Sequence, residues 1–154
     1  MKNFQNKLVG DEPKDRKLHA PPITDYMVKD VITFKEDTEM VKVIETLLTK
    51  RITGAPVVND RGEVIGIIDD KDCLRLVFGS AYYNLPAGRE TVSHYMSTIM
   101  KSISETADIV DAANIFMQTT YKRLIVKDAE GKMVGQISRR DVLRAVKDMK
   151  SNTW

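Results

Sequence analysis

The sequence has one cysteine, Cys73, two histidines and one tryptophan among its 154 residues. A single cysteine cannot form an internal disulfide framework or a multi-thiolate zinc site, so a reducing, cytoplasmic setting is expected. No apolar run approaches the roughly 18 residues that a membrane-spanning helix requires. The first 18 residues are polar and mixed in charge, which argues against a signal peptide. These shortages argue against a disulfide-rich secreted protein and against an integral membrane protein.

Neither sign of charge is in excess. The 24 Lys and Arg residues are opposed by 22 Asp and Glu residues, which leaves a formal net charge of +2. Composition therefore does not indicate a nucleic-acid or membrane partner. The hydrophobic fraction of 42% is high enough for a packed core and too high for a fully disordered chain.

Residues typical of catalysis or metal binding are also scarce. His19 and His94 stand far apart without a nearby partner, and no Ser-His-Asp arrangement, Cys-His arrangement or Walker loop is present. We therefore predict no enzyme activity, no catalytic residue and no metal site. Cys73 lies on a predicted helix and is interpreted as a packed core thiol.

An internal repeat is the main positive feature of the chain. Residues 24–27 (TDYM) resemble residues 93–96 (SHYM), an offset of 69 residues. Without any gap, the same offset pairs Gly62 with Gly131, and it continues through further matches. They include Gly66 with Gly135, Asp72 with Asp141, Leu74 with Leu143 and Arg75 with Arg144. Two glycines and an aspartate in one frame indicate a duplication.

Each copy is predicted to fold as β-α-β-β-α. Asp37 or Thr38 can cap the first helix. Its apolar face at spacings of three and four residues includes Leu48, and the corresponding face in the second copy includes Met117. A hairpin with Gly62 at positive φ follows, and the second helix runs over residues 69–78. A copy of about 54 residues is marginal alone, so the two should pack on each other and form paired clefts about a pseudo-twofold axis.

These limits divide the chain into five parts. Residues 1–23 are predicted to form an N-terminal arm, and residues 78–92 a linker between the copies. The copies themselves are residues 24–77 and 93–146, and residues 147–154 form a C-terminal tail. The linker contains Tyr82 and Tyr83, which suit either a surface loop or a dimer contact.

The two copies resemble the cystathionine-β-synthase (CBS) domain, and the duplication resembles a CBS pair, or Bateman module. The resemblance rests on residues 54–62 (GAPVVNDRG), 64–68 (VIGII) and Asp72, and on residues 123–128 (RLIVKD), Gly131 and residues 135–141 (GQISRRD). It implies an α/β fold of paired β-α-β-β-α units, frequent homodimers and a regulatory role. It also implies an adenosine nucleotide or derivative in the cleft and a partner or effector protein that receives the signal.

The second copy matches the family's nucleotide signature at Gly135, Ser138 and Asp141. A carboxylate can accept from both ribose hydroxyls, and a hydroxyl at a helix start suits a phosphate oxygen. The same two residues also have the spacing of a helix capping box, which is the alternative interpretation. The first copy has Gly66 and Asp72 but carries Asp69 and Asp70 where the signature has a hydroxyl. Those carboxylates would repel a phosphate, so the Asp72 cleft is expected to be empty, to take a neutral nucleoside end or to use a bridging cation.

The resemblance also implies that each cleft is completed by the other copy. The Asp141 cleft would be completed by Asp30, Ile32, Ile52, Thr53 and Gly54. The Asp72 cleft would be completed by Ile99, Lys101, Tyr121, Lys122 and Arg123. Lys122 and Arg123 fall where related sensors carry residues that contact phosphate. The alternative is that the two side chains are exposed to solvent at the start of a strand.

The sequence therefore predicts a stand-alone CBS pair that binds AMP, ADP or ATP without turning it over. NAD and S-adenosylmethionine are less favoured ligands. Binding would change the conformation of the module or its affinity for a partner. The alternative is a ligand-independent dimerisation or protein-interaction module that uses Tyr82 and Tyr83.

Overall fold

The computed structural model describes residues 20–78 and 90–151 of the chain. Its elements form two sets of the same order. The first set is β1 (Phe34–Lys35), α1 (Met40–Lys50), β2 (Gly54–Val58), β3 (Val64–Asp69) and α2 (Asp70–Leu74). The second set is β4 (Ser102–Ser104), α4 (Ile109–Gln118), β5 (Arg123–Lys127), β6 (Met133–Ser138) and α5 (Arg139–Ser151), and it follows α3 (Val92–Tyr95). The predicted β-α-β-β-α order is confirmed in both repeats.

Each repeat forms one three-stranded sheet. In the first sheet β2 is central, parallel to β1 and antiparallel to β3, and β4, β5 and β6 repeat this arrangement in the second. The two hairpins turn at Gly62, with φ of 76°, and at Gly131, with φ of 82°. Glycine adopts this region without a steric penalty, so the predicted turn at Gly62 is confirmed.

The central strands are buried on both faces. Val57 and Val126 point into the two hydrophobic cores, and the adjacent Pro56 and Ile125, which alternation directs to the opposite face, are also buried. On this opposite face the Arg123 guanidinium lies against Gly54 of the other repeat. The inner faces of the two sheets therefore meet on the pseudo-twofold axis.

The two repeats also exchange the segments that precede them. Ile23, the last residue of the predicted arm, is fully buried in the second core, and Val92, the last residue of the predicted linker, is fully buried in the first core. Val28 and Gln136 exchange two backbone hydrogen bonds of 2.9 Å, and their repeat equivalents Ser97 and Ile67 exchange two of 2.8 Å. The segment that precedes the first repeat thus completes the second core, and the segment that precedes the second repeat completes the first core.

The predicted cap of α1 is wrong. The helix begins after Glu39, which makes no side-chain cap, while the Thr38 hydroxyl accepts instead from the Lys35 amide. The Met40 amide donates to the Glu90 carbonyl at 2.9 Å. Because the segment entering the second repeat supplies an acceptor, the helix start is satisfied without a side-chain cap.

Two helical faces and one helix length also differ from the prediction. Leu48 and Met117, predicted on buried faces, are 74% and 85% exposed. The predicted helix over residues 69–78 is interrupted by a turn at Arg75, between α2 and the helical residues 76–78. Cys73 packs partly buried against the first core, as predicted, and burial raises the pKa of its thiol to about 11.

Candidate functional site

Ser138 and Asp141 lie where β6 runs into α5. The Ser138 amide and hydroxyl both donate to Oδ2 of Asp141, at 2.8 and 3.0 Å. The Asp141 amide donates back to the Ser138 hydroxyl oxygen at 3.3 Å. This reciprocal pattern is a capping box, the geometry that the alternative interpretation of the two residues predicts. It also holds the hydroxyl and the carboxylate together at the helix start.

Arg144 holds the second oxygen of the Asp141 carboxylate. Its Nη2 donates to Oδ1 of Asp141 at 2.9 Å and also to the Tyr26 carbonyl at 3.0 Å. A carboxylate has about four acceptor positions, so these bonds leave one on Oδ1 for a further donor. Asp141 is 7% exposed, and its side chain is therefore held in one orientation.

The Asp72 site has the same geometry but different charge. The Asp72 amide donates to Asp69 at 2.8 Å, the Asp69 amide donates to Asp72 at 3.1 Å, and Arg75 pairs with Asp72 at 2.8 Å. Burial and the neighbouring Asp69 charge raise the pKa of the Asp72 carboxyl, while Arg75 opposes the rise. The Asp69 carboxylate therefore occupies the position that the Ser138 hydroxyl has in the second repeat.

Arg123 connects the two sites. Its backbone pairs with Ser138 across the second sheet, and its Nη2 donates to the Thr53 hydroxyl of the first repeat at 3.0 Å. The residue is 8% exposed, and burial lowers the pKa of its guanidinium, partly offset by Asp69 and Asp70. The cation thus lies between the two predicted clefts, on the side of the acidic helix start.

The other predicted residues lie around these groups at different depths. Ile32 and Ile52 are half-buried and pack against the first core, and Gly54 is buried against Arg123. The remaining predicted cleft residues are exposed: Asp30, Thr53, Ile99, Lys101 and Lys122. Tyr121 is half-buried and packs against the second core.

Only some of these residues are linked to the Asp141 site, and each of them through an intermediate residue. Thr53 and Gly54 reach it through Arg123, and Asp30 lies two residues after Val28, which pairs with Gln136. In the described ranges, no hydrogen bond or ion pair joins Ile32 or Ile52 to Ser138 or Asp141. The linker residues Tyr82 and Tyr83 lie outside the described residues.

Sequence reasoning missed the roles of Arg144 and Tyr26. Arg144 entered the prediction only as a repeat match, although its position three residues after Asp141 is the spacing of a helical ion pair. Nothing in the sequence indicates that it also contacts the Tyr26 carbonyl, which is 118 residues away.

A further cavity of about 140 Å³ lies between the two hairpins. It is lined by the turn residues of both repeats, including Arg61, Glu63, Lys127 and Lys132. Over residues 20–78 and 90–151, no group of three or more His, Cys, Asp or Glu side chains could hold a metal ion. In the same ranges, every helix is too short or too polar to cross a membrane.

Two curated relatives are 30% identical to this chain. CBS domain-containing protein CBSX1, chloroplastic, of Arabidopsis thaliana aligns over 155 residues, which cover 81% of this chain and 66% of the relative. An uncharacterized protein of Methanocaldococcus jannaschii aligns over 123 residues, which cover 80% and 42%. The chain therefore spans less than two thirds of the length of either relative.

Solved structures show the same fold. CBSX2 in complex with AMP is 28% identical, with a TM-score of 0.73, and the match covers 84% of this chain and 98% of that one. CBSX2 from Arabidopsis thaliana, in a second structure, gives a TM-score of 0.71 at 26% identity and covers 86% and 99%. The CBS domain family matches residues 23–79 and again residues 92–148. The chain belongs to the CBS domain family and carries two CBS domains in tandem.

Proposed function

We propose that this CBS pair is a regulatory module that binds an adenine nucleotide in the Asp141 cleft and does not turn it over. The observation that carries the proposal is the paired hydroxyl and carboxylate of Ser138 and Asp141 at the start of α5. CBSX2, which has this fold and was crystallised with AMP, supports the choice of an adenine ligand.

Asp141 would hold the ribose of the ligand. Its Oδ1 has one acceptor position left, and a second ribose hydroxyl can replace the Ser138 hydroxyl on Oδ2. The Ser138 hydroxyl, once released, is free to donate to a phosphate oxygen at the positive end of α5. Ribose and phosphate would thus be bound by one exchange of hydrogen bonds. Thr53, Gly54, Ile32, Ile52 and Asp30 of the first repeat would close the cleft.

Arg144 offers a route from the ligand to the rest of the chain. The same Nη2 atom bonds Asp141 and the Tyr26 carbonyl, and the Tyr26 hydroxyl bonds Asp148 at 2.7 Å. A shift of the Asp141 carboxylate on binding would move the Arg144 guanidinium and so alter its hydrogen bond to the Tyr26 carbonyl. That segment lies near the start of the described part of the chain, and a change in its position is a way in which binding could be signalled to an effector protein.

The Asp72 cleft would take a phosphorylated ligand less well. Asp69, Asp70 and Asp72 lie together at the start of α2 and repel an added phosphate, whereas Arg123, Lys101 and Lys122 attract it. A neutral nucleoside end or an empty cleft suits this balance better. We therefore expect one tight nucleotide site per chain.

Calorimetric titration of the full chain with AMP, ADP, ATP, NAD and S-adenosylmethionine tests this function. Asp141→Ala removes both the ribose acceptor and a helix cap. Because the lost bonds are charge-assisted, nucleotide affinity should fall by roughly tenfold to a hundredfold. Asp111→Ala is the matched control, since Asp108 and Asp111 form an equivalent capping box on α4.

Both variants should lose about 0.5–2 kcal/mol of unfolding free energy from the broken cap, and Asp141→Ala additionally loses the ion pair with Arg144. Only Asp141→Ala should lose nucleotide affinity. Equal binding by Asp141→Ala and the wild type, or no binding of any of the five compounds, would contradict the proposed function.

A second candidate function is interaction through exposed apolar residues. Leu48 and Met117 are repeat equivalents on α1 and α4, and Leu74 and Leu143, also equivalent, are 65% and 67% exposed. Since the surface occurs twice about the pseudo-twofold axis, a second copy of the chain is a fitting occupant. Sedimentation should give two chains for the wild type and one for Leu48→Glu combined with Met117→Glu. A monomeric wild type would refute this role.

A further inference from the structure

Gln136 lies on β6 beside the proposed nucleotide cleft. It precedes Ser138 by two residues, so alternation along the strand places both side chains on the inner face of the sheet. Its backbone pairs with Ile125 on one side and with Val28 on the other. The residue is therefore two positions from Ser138 along the strand, and its backbone is paired with the segment of the first repeat that leads to Asp30.

The oxygen of this side-chain amide is unsatisfied, because Oε1 is buried and accepts no hydrogen bond. A buried amide oxygen without a donor costs stability. The fold alone does not explain why the chain keeps such a group on the inner face of the sheet.

The first repeat supplies an internal comparison. Ile67 occupies the equivalent position and makes the equivalent backbone pair, with Ser97. An apolar side chain therefore suits this place in the fold. The polar amide occurs only in the repeat that carries the Ser138 and Asp141 site.

We propose that Gln136 selects the base of the ligand by pairing with the amino edge of adenine. The proposal rests on the proposed function, because it assumes a nucleotide in the Asp141 cleft. Two residues of a strand span about 6.6 Å, which places the amide beyond the ribose site on the side away from the helix start. A glutamine amide offers one acceptor and one donor, which match the 6-amino group and the neighbouring ring nitrogen of adenine.

The side chain can present this pair without a change in the backbone. Gln136 as a residue is only half-buried, so a change of its side-chain rotamer can turn the amide towards the cleft. The bound base would then supply the donor that Oε1 lacks and an acceptor for Nε2.

Calorimetry with AMP and with purine riboside 5′-monophosphate, which lacks only the 6-amino group, tests the pairing. The wild type should bind AMP at least about tenfold more tightly than the analogue. Gln136→Ile, which installs the residue of the first repeat, should bind both ligands with the affinity that the wild type shows for the analogue. Its melting temperature should equal or exceed that of the wild type, because an unsatisfied group is removed.

Ile67→Gln is the matched control, since it adds the same amide to the first repeat. It should retain the full preference for AMP and lower the melting temperature. Equal affinity of the wild type for the two ligands, or an undiminished preference in Gln136→Ile, would overturn the role of Gln136 while leaving the Asp141 site standing. If the wild type binds neither ligand, the role of Gln136 in pairing with AMP is refuted, and the proposed function fails as well if none of the five compounds named above binds.

Discussion

Replacement of Gly54 by alanine tests how the two repeats meet on the pseudo-twofold axis. A Cβ at this position would lie 2.8 Å from the Ile68 carbonyl oxygen and 2.9 Å from Cζ of Arg123. Both distances are shorter than real Cβ contacts allow. The guanidinium can move, but the Ile68 carbonyl belongs to the buried strand β3. We therefore expect Gly54→Ala to destabilise the fold by about 1–3 kcal/mol.

Arg123→Ala combined with Gly54→Ala separates the two contacts. Arg123→Ala alone loses the bond to Thr53 but also removes a desolvated charge, so its net cost should stay under about 2 kcal/mol. In the double variant the alanine Cβ contacts only the Ile68 carbonyl. Its loss of unfolding free energy should therefore be smaller, by at least about 1 kcal/mol, than the sum of the losses in the two single variants.

Urea unfolding at neutral pH measures these differences. Each 1 kcal/mol corresponds to about 2–4 °C in melting temperature for a chain of this size, so thermal melts give an independent check. Strictly additive single changes would refute the placement of Arg123 over Gly54, and a Gly54→Ala variant as stable as the wild type would refute the close approach of Gly54 to the Ile68 carbonyl.

Two further predictions concern single side chains. Burial raises the pKa of the Cys73 thiol from 9.0 to about 11. At pH 8 the thiol should therefore react with a disulfide reagent about a hundredfold more slowly in the native chain than in the urea-unfolded chain. Equal rates would show that the thiol is not buried. The Tyr26 hydroxyl donates to Asp148, which raises the pKa of Tyr26 above 10.0, so this bond stabilises the fold below pH 10 and is lost as pH rises through the folded-state pKa. Tyr26→Phe should therefore melt below the wild type at pH 8, by a margin that closes above pH 10, whereas a constant margin would point to lost packing.

Local features of the fold followed from the sequence because neighbouring residues determine them. Gly62 and Gly131 mark hairpin turns that need positive φ, and the three-residue spacing of Ser138 and Asp141 fits a capping box whatever surrounds it. The repeat then carried each assignment from one copy to the other.

Contacts between distant segments could not be read in the same way. By sequence, Ile23 belongs to the arm before the first repeat and Val92 to the linker before the second. In the structure Ile23 fills the core of the second repeat, and Val92 fills the core of the first. Short apolar segments carry no signal for partners far away in the chain, such as Ala107 for Ile23 or Thr38 for Val92. Periodicity likewise placed Leu48 and Met117 on helix faces expected to be buried, but it could not show that this chain leaves them exposed.

Arg123 illustrates the same limit within the candidate site. A charged residue at a strand entry is usually exposed, so the sequence left open a phosphate contact or a solvated position. Its burial depends on the space left by Gly54, the residue 69 positions earlier at the equivalent place in the other repeat. Only the packing of the two sheets shows that one arginine fills a space that two could not share.

A crystal structure of the full chain grown with AMP tests the central claim most directly. The account predicts one nucleotide per chain in the Asp141 cleft, with both ribose hydroxyls on the Asp141 carboxylate and the phosphate at the Ser138 hydroxyl. A nucleotide bound only beside Asp72, or in the cavity between the hairpins, would contradict it, as would crystals in which the Ser138 and Asp141 capping box is unchanged and no AMP is bound.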